Sequence, residues 1–281
     1  MKRRTWMQTA MLGGAGFLLK PAFAETGGLR TITYNVLQCS GWPKSVSKER
    51  LGEFASQLPQ RYAMEFALYQ PDIITFQEGP AESVVKEIAK LMKMNYVFFP
   101  SGEHWPGALM TRFEIVSAQN CPVLSGERPK KLFTRHWGKA NLRNPETNED
   151  YIVHSAHLHP SSKDIRYDEV TAMLESMREE IASNANFILQ GDLNHEPDMP
   201  SYRRWIKAGL IDSYAKAGAG EALTFKADSP YCRIDYVWSN ATLAKRLKSA
   251  RALHEGAFRQ HAKDPVSFAL SDHVPVLAEF K

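Results

Sequence analysis

Polar residues of a few chemical types recur at one kind of place in this sequence, directly beside short apolar runs. Asn35 follows Leu29–Tyr34, Glu78 follows Asp72–Gln77, His157 follows Tyr151–Ala156, and Asp192 and Asn194 follow Phe187–Gly191. Asp235 falls within Arg233–Trp238, and the pair Asp272 and His273 immediately precedes Val274-Pro275-Val276. A turn or a helix cap explains any one of these alone. If the runs are strands that end together, the whole series lies on one rim, and such a concentration of carboxylates, amides and imidazoles is costly unless a cation or ligand compensates it. Carboxylate and amide oxygens are hard ligands suited to Mg2+ or Mn2+ rather than to thiol-seeking metals. Histidine beside such a metal suits a phosphate group, whose negative oxygens need donors while water attacks the phosphorus.

The elements that must position these residues follow from short β-branched or aromatic runs and from helical spacing. Strands are predicted at Leu29–Val36, Ile73–Gln77, Tyr96–Phe99, Ala108–Thr111, Ile152–His157, Asn186–Leu189, Arg233–Trp238 and Val274–Phe280. Helices are predicted at Arg61–Tyr69, Ala81–Met92, Asp164–Ala182 and Pro200–Ala208. In the third of these, Val170, Met173, Leu174, Met177 and Ile181 form one apolar stripe, which must pack on a sheet. The mixture predicts an α/β architecture with helices covering sheets. No repeat, low-complexity tract or linker divides residues 25–281, so they read as one domain.

The 281-residue chain carries 35 Lys and Arg against 31 Asp and Glu, but Lys2, Arg3, Arg4 and Lys20 account for the whole excess. Residues 25–281 are therefore neutral overall, with no global field to gather polyanions. Residues 1–24 read as a signal peptide: a cationic start, an apolar run over Ala10–Leu19, and Ala22-Phe23-Ala24 as a small-x-small cleavage site. Arg3-Arg4 resembles a twin-arginine signal, whereas a Sec signal with a basic start is the plainer alternative. Export to the periplasm or beyond is the expectation, with no membrane span left after cleavage. Cys39, Cys121 and Cys232 lack zinc-type spacing and are expected as small buried hydrophobes, although an exported protein permits one disulfide among them.

The ordered motifs Thr33-Tyr34-Asn35-Val36-Leu37, Phe76-Gln77-Glu78, Ala156-His157-Leu158, Gly191-Asp192-Leu193-Asn194, Arg233-Ile234-Asp235-Tyr236-Val237 and Ser271-Asp272-His273-Val274-Pro275 resemble the motif series of the endonuclease/exonuclease/phosphatase superfamily. Gly107-Ala108-Leu109-Met110-Thr111-Arg112 resembles a further strand of that family, with Thr111 where Ser is usual. The resemblance spans residues 29–280. It implies a four-layered α/β sandwich, two packed mixed sheets with helices outside, as in pancreatic deoxyribonuclease and the sphingomyelinases. It also implies roles. Glu78 would be the principal metal ligand, with Asn35 and Asp272 completing the Mg2+ or Mn2+ site. Asp192 would orient or deprotonate the attacking water, Asn194 would hold that water or a phosphate oxygen, and His157 would donate to a non-bridging oxygen. His273, oriented by Asp235, would stabilise the phosphorane or act as an acid.

Around this set, His159, His195 and Glu196 are candidates for lining the pocket, and Arg166 for either a substrate contact or a surface charge. Arg233 is expected behind the site, paired with an acid, and Trp42, His104 and Trp105 are loop aromatics that either stack on a substrate or anchor their loops. The substrate is less legible. Pro230-Tyr231-Cys232-Arg233-Ile234-Asp235 lacks the Asp-Arg pair of inositol polyphosphate phosphatases, and Gly79 and Pro80 follow Glu78 where abasic-site nucleases typically carry a Lys. The expectation is an exported phosphodiesterase of nuclease type acting as a monomer. Alternatives are a sphingomyelinase-like phospholipase, which the run His157-Leu158-His159 resembles, and a phosphomonoesterase acting on sugar or inositol phosphates. A non-catalytic binding module would predict losses among the motif residues, and none is missing.

Overall fold

Strands β1 (Leu29–Asn35) and β2 (Ile73–Gln77) are buried almost throughout rather than on alternate residues. That pattern requires both faces to be covered. The computed structural model, which describes residues 28–46, 57–101, 104–121, 132–261, 263–264 and 267–281, shows what covers them. The expected signal segment 1–24 lies outside the described residues.

The remaining strands are β3 (Asn95–Phe99), β4 (Gly107–Thr111), β5 (Glu114–Asn120), β6 (Trp137–Arg143), β7 (Asp150–His157), β8 (Asn186–Asp192), β9 (Ile211–Asp212), β10 (Asp235–Ser239), β11 (Leu247–Ala252) and β12 (Val276–Phe280). They form two six-stranded mixed sheets, ordered β11-β12-β1-β2-β4-β3 and β5-β6-β7-β8-β10-β9. Helices α1 (Leu58–Ala67) and α2 (Glu82–Met92) cover the first sheet through Tyr62, Phe66, Val85 and Ile88. The second sheet is covered by α3 (Lys163–Ala182) and α4 (Pro200–Lys207) through Met173, Met177 and Trp205. Between the sheets lies a third apolar layer that includes Leu29, Phe99, Leu109, Val153, Ile188 and Val276. This is the four-layered α/β sandwich.

A polar seam crosses that apolar layer. Thr31 Oγ1 of β1 donates to Gln190 Oε1 of β8 at 2.7 Å, and Gln190 Nε2 donates to Thr75 Oγ1 of β2 at 3.0 Å. Buried polar groups demand partners, so these bonds permit few registers between the sheets. Four residues beyond Thr31 and two beyond Gln190, Asn35 and Asp192 meet across the sheets as well, with Asn35 Nδ2 donating to Asp192 Oδ2 at 3.0 Å.

Helix α3 is capped by Ser162, whose hydroxyl accepts the amide of Ile165, and of its predicted stripe Val170, Met173, Met177 and Ile181 are buried while Leu174 is half-buried. Four strands have no counterpart in the sequence reading. The β5 edge is mostly exposed and bulged between Ile115 and Ser117, while β9 has two residues. In β6 and β11, Gly, Ala, Lys and Asn replace β-branched residues, and tertiary pairing overrides their low propensity. Asp235 opens β10 rather than interrupting a longer strand. All three cysteines are free thiols, Cys39 and Cys232 buried and Cys121 half-buried. No helix among the described residues is long and apolar enough to cross a membrane.

Candidate active site

Strands β1 and β2 run parallel, as do β7 and β8, so Asn35, Glu78, His157 and Asp192 sit at or just past four C-terminal ends. Strands β12 and β10 run antiparallel to β1 and β8, so Asp235 and the Asp272-His273 pair enter from the opposite chain direction at the same rim. Asp192 lies opposite both His157 and Asp235 in the sheet register.

The contacts form a continuous chain. His273 Nδ1 lies 2.9 Å from Asp235 Oδ2, and its Nε2 lies 3.8 Å from Asp192 Oδ2. His157 Nε2 is 3.6 Å from the same Asp192 oxygen. The other oxygen, Oδ1, accepts the Asn194 amide at 3.1 Å, while Asn194 Nδ2 donates to the Leu158 carbonyl at 3.0 Å. Asn194 thus clasps the His157 loop to the Asp192 turn, leaving its Oδ1 as the atom available to a water. Asn194 and Glu78 both have left-handed backbones, with φ of 52° and 49°. Non-glycine residues rarely adopt that region, and Glu78 is held there by Gln38 N donating to its carbonyl at 2.7 Å.

Burial sets the protonation states. It disfavours the charged His273, but the charge and hydrogen bond of Asp235, with Asp192 and Asp272, outweigh it and push the imidazole up to about 10. His157 is driven well below its usual value by burial and by neighbouring His136, Arg135 and His273, so it is neutral at pH 7. Asp192 is raised, by burial first and by Asp235 second, which makes it a better base than an exposed carboxylate. Glu78 is raised by burial and by Asp272, against His273, Asn35 and Arg135.

Glu78, Asp192, Asp235 and Asp272 therefore share one rim, and among the described residues no Lys or Arg forms an ion pair with any of them. The Asp235 Oδ1 and His157 Nδ1 atoms are buried without a partner. Such a surplus of hard oxygen donors fits a divalent cation. Asp192, Asp235 and His273 bring their ligand atoms within 4.8 Å of one another, but the Asp235–His273 bond occupies that trio internally.

Among the other candidates, Arg233 pairs with Asp212 at 2.7 Å behind the site, as expected. Arg166 is not a surface charge. It is buried, and its Nη1 donates to the carbonyls of His159 and Pro160. His195 is buried and accepts from Trp205 Nε1 at 3.0 Å instead of facing a pocket. Trp42 donates its Nε1 to Asp228 at 2.9 Å.

Two further residues support the site without having been expected. Glu169, wholly buried on α3, accepts Phe133 N at 2.6 Å and His159 N at 2.8 Å, tying together the loops before β6 and after β7. A carboxylate three residues after Arg166 on an otherwise apolar stripe was its sequence signal. Arg135, 5.6 Å from the Trp105 ring, is near enough for its charge to act on Glu78, His157 and Glu169. Nothing in its surroundings in the sequence marked it.

Two mixed sheets packed face to face, with this rim at the strand ends, define a phosphoesterase fold. The sequence matches the model of the endonuclease/exonuclease/phosphatase family over residues 32–273, and the chain belongs to that family. Solved structures agree on the fold. An endonuclease/exonuclease/phosphatase family protein from Bacteroides thetaiotaomicron superposes with a TM-score of 0.73 at 21% identity, covering 90% of this chain and 94% of that one. A mannosyl-6-phosphatase from the same organism gives 0.72 at 20% identity, covering 89% and 98%. Truncated TDP2 from Caenorhabditis elegans gives 0.65 at 17%, covering 90% and 97%. No curated protein matches the sequence.

Proposed function

We propose that this chain is an exported, Mg2+- or Mn2+-dependent phosphoesterase whose preferred substrate is a phosphodiester, with a nuclease-like mode of action. The observation that carries this reading is the chain of contacts from Asn35 through Asp192 and His273 to Asp235, adjoining Glu78 and Asp272. Asn35, Glu78 and Asp272 would hold the cation, whose chemistry would be to neutralise charge on the phosphate. Asp192 accepts a proton from the attacking water as the new O–P bond forms. Neutral His157 donates one N–H to a non-bridging oxygen, and charged His273 presents Nε2–H to the charge that develops on the phosphorane. The leaving oxygen departs in line and takes up a proton from His273 or from solvent water.

A phosphomonoester is the second reading, favoured by the superposition on a mannosyl-6-phosphatase. Hydrolysis of bis(p-nitrophenyl) phosphate and p-nitrophenyl phosphate, each with Mg2+, Mn2+ or chelator, tests both. Metal-dependent release from the diester supports the first reading, faster release from the monoester supports the second, and no release from either defeats both. DNA, RNA, sphingomyelin and phosphorylated sugars then resolve the class. Export is tested by mass spectrometry of the secreted protein, where a mature terminus at Glu25 is expected and retention of residues 1–24 counts against it.

A further inference from the structure

The segment Thr224–Ala227 is clamped against the strand end that carries Asp272 and His273. Val274 N donates to the Thr224 carbonyl at 2.8 Å, and Ala227 N donates to the Asp272 carbonyl at 2.7 Å. The Phe225 ring packs on the His273 imidazole, 4.8 Å between centroids. Its other neighbour is Tyr231, which meets it edge-on at 5.5 Å and is 62% exposed. The next side chain, Lys226, places its Nζ 5.4 Å from the Trp42 ring and 5.9 Å from that of Phe225. Trp42 is itself fixed, by Asp228 and by backbone pairing in both directions with Ala269.

Lys226 is thus an ammonium held by two aromatic faces one ring away from His273, and among the described residues it has no carboxylate partner. Aromatic faces attract a cation without cancelling its charge, so the group keeps its capacity for an anion while its long side chain is partly ordered in advance. With residues 25–281 neutral overall, a single fixed cation suits one additional anionic group and not a track of them.

We propose that Lys226, with Trp42 and Phe225, forms a subsite for a second, non-reacting phosphate of the substrate. This inference rests on the phosphoester reading of the adjoining site. The second phosphate belongs either to a small bisphosphorylated molecule or to the next linkage of a nucleic-acid strand.

Calorimetric titration, with Ca2+ as the cation to limit turnover, compares thymidine 5′-monophosphate with thymidine 3′,5′-bisphosphate, and thymidylyl-thymidine with its 5′-phosphorylated form. The second phosphate is expected to tighten binding by about fivefold in the wild type, the scale of one partly exposed charge pair. Lys226→Met should bring that ratio close to one, and Lys226→Arg should preserve it, with melting curves confirming that both variants fold. A preference in the mononucleotide pair supports the small-molecule source, and one confined to the dinucleotides supports the strand. Equal affinities in the wild type, or a ratio untouched by Lys226→Met, overturn the subsite. Wild-type hydrolysis of bis(p-nitrophenyl) phosphate, measured alongside, separates the two failures. Turnover without a second-phosphate preference defeats only the subsite, and a preference without turnover defeats only the catalytic reading.

Discussion

The Nδ1 of His273 lies 2.9 Å from Asp235 Oδ2 with both side chains buried, so the inner nitrogen is committed and only Nε2 faces Asp192 and the rim. On the proposed mechanism, charge stabilisation by Nε2 is made mainly in the transition state. His273→Ala is therefore expected to lower kcat by about 10²-fold or more while leaving KM little changed. Asp235→Asn keeps the volume but removes the charge that holds the imidazole up, and a similar loss in kcat is expected. The double variant should cost little more than the worse single one, because the pair acts as a unit. Near-wild-type kcat for His273→Ala would make the residue structural.

Glu78 is held in a left-handed backbone conformation at the rim, where burial and Asp272 oppose its charge while His273, Asn35 and Arg135 favour it. A cation relieves that opposition. Glu78→Gln keeps the size but loses the charge, so the Mg2+ concentration for half-maximal rate should rise by about tenfold or more, with part of the rate recovered at high Mg2+. An unchanged Mg2+ requirement, or full turnover of the wild type in excess chelator, would remove Glu78 from the metal site.

Gly191 precedes Asp192 in β8 with φ of 152°, and a Cβ built there would stand 1.8 Å from the Ala156 carbonyl oxygen. That contact is with backbone, so β7 and β8 would have to separate just where they carry His157 and Asp192. Gly191→Ala should destabilise the fold by on the order of 3 kcal/mol, read from the denaturant midpoint. A shift below about 0.5 kcal/mol, the usual range of neutral surface changes, would show that the strands accommodate the methyl group.

The strands that end at the rim were legible because their apolar runs are buried on both faces and stop at residues of a different chemical kind. Asn35, Glu78, His157 and Asp192 stand out by that contrast alone, and the ordered motifs supplied the family. Strands β5 and β6 were not legible, since an exposed edge and a Gly- and Lys-containing neighbour owe their form to pairing, not propensity. The burial of Arg166 and His195 was not legible for a related reason. A charged or imidazole side chain next to a motif reads as a site residue, whereas here each satisfies buried polar atoms, Arg166 those of the loop that carries His159 and His195 the indole of Trp205. The Lys226 cluster depends on Trp42, distant in sequence, and no local pattern announces it.

Glu169 is the group whose ionisation should be visible in folding. It is wholly buried and accepts two backbone amides, yet burial outweighs those bonds and the charges of Arg135 and Arg166, pushing it from 4.5 up to about 7. Below pH 4.5 the carboxyl is protonated in both folded and unfolded chains, and above pH 7 it is ionised in both. Between those limits the folded state binds the extra proton, so stability falls as pH rises through the window. Glu169→Gln has no such proton to lose. Its carbonyl oxygen still accepts one amide, but its NH2 meets the other donor, so one of the two loop ties is broken. The loss of stability from pH 4.5 to pH 7 should therefore be smaller in Glu169→Gln than in the wild type, by on the order of 2 kcal/mol. Because Phe133 and His159 sit on the loops next to Arg135 and His157, kcat should also fall in the variant, by less than for His273→Ala. Urea denaturation of both proteins at intervals across pH 4.5–7.5 provides the measurement, and parallel stability profiles would show that Glu169 stays ionised throughout the range.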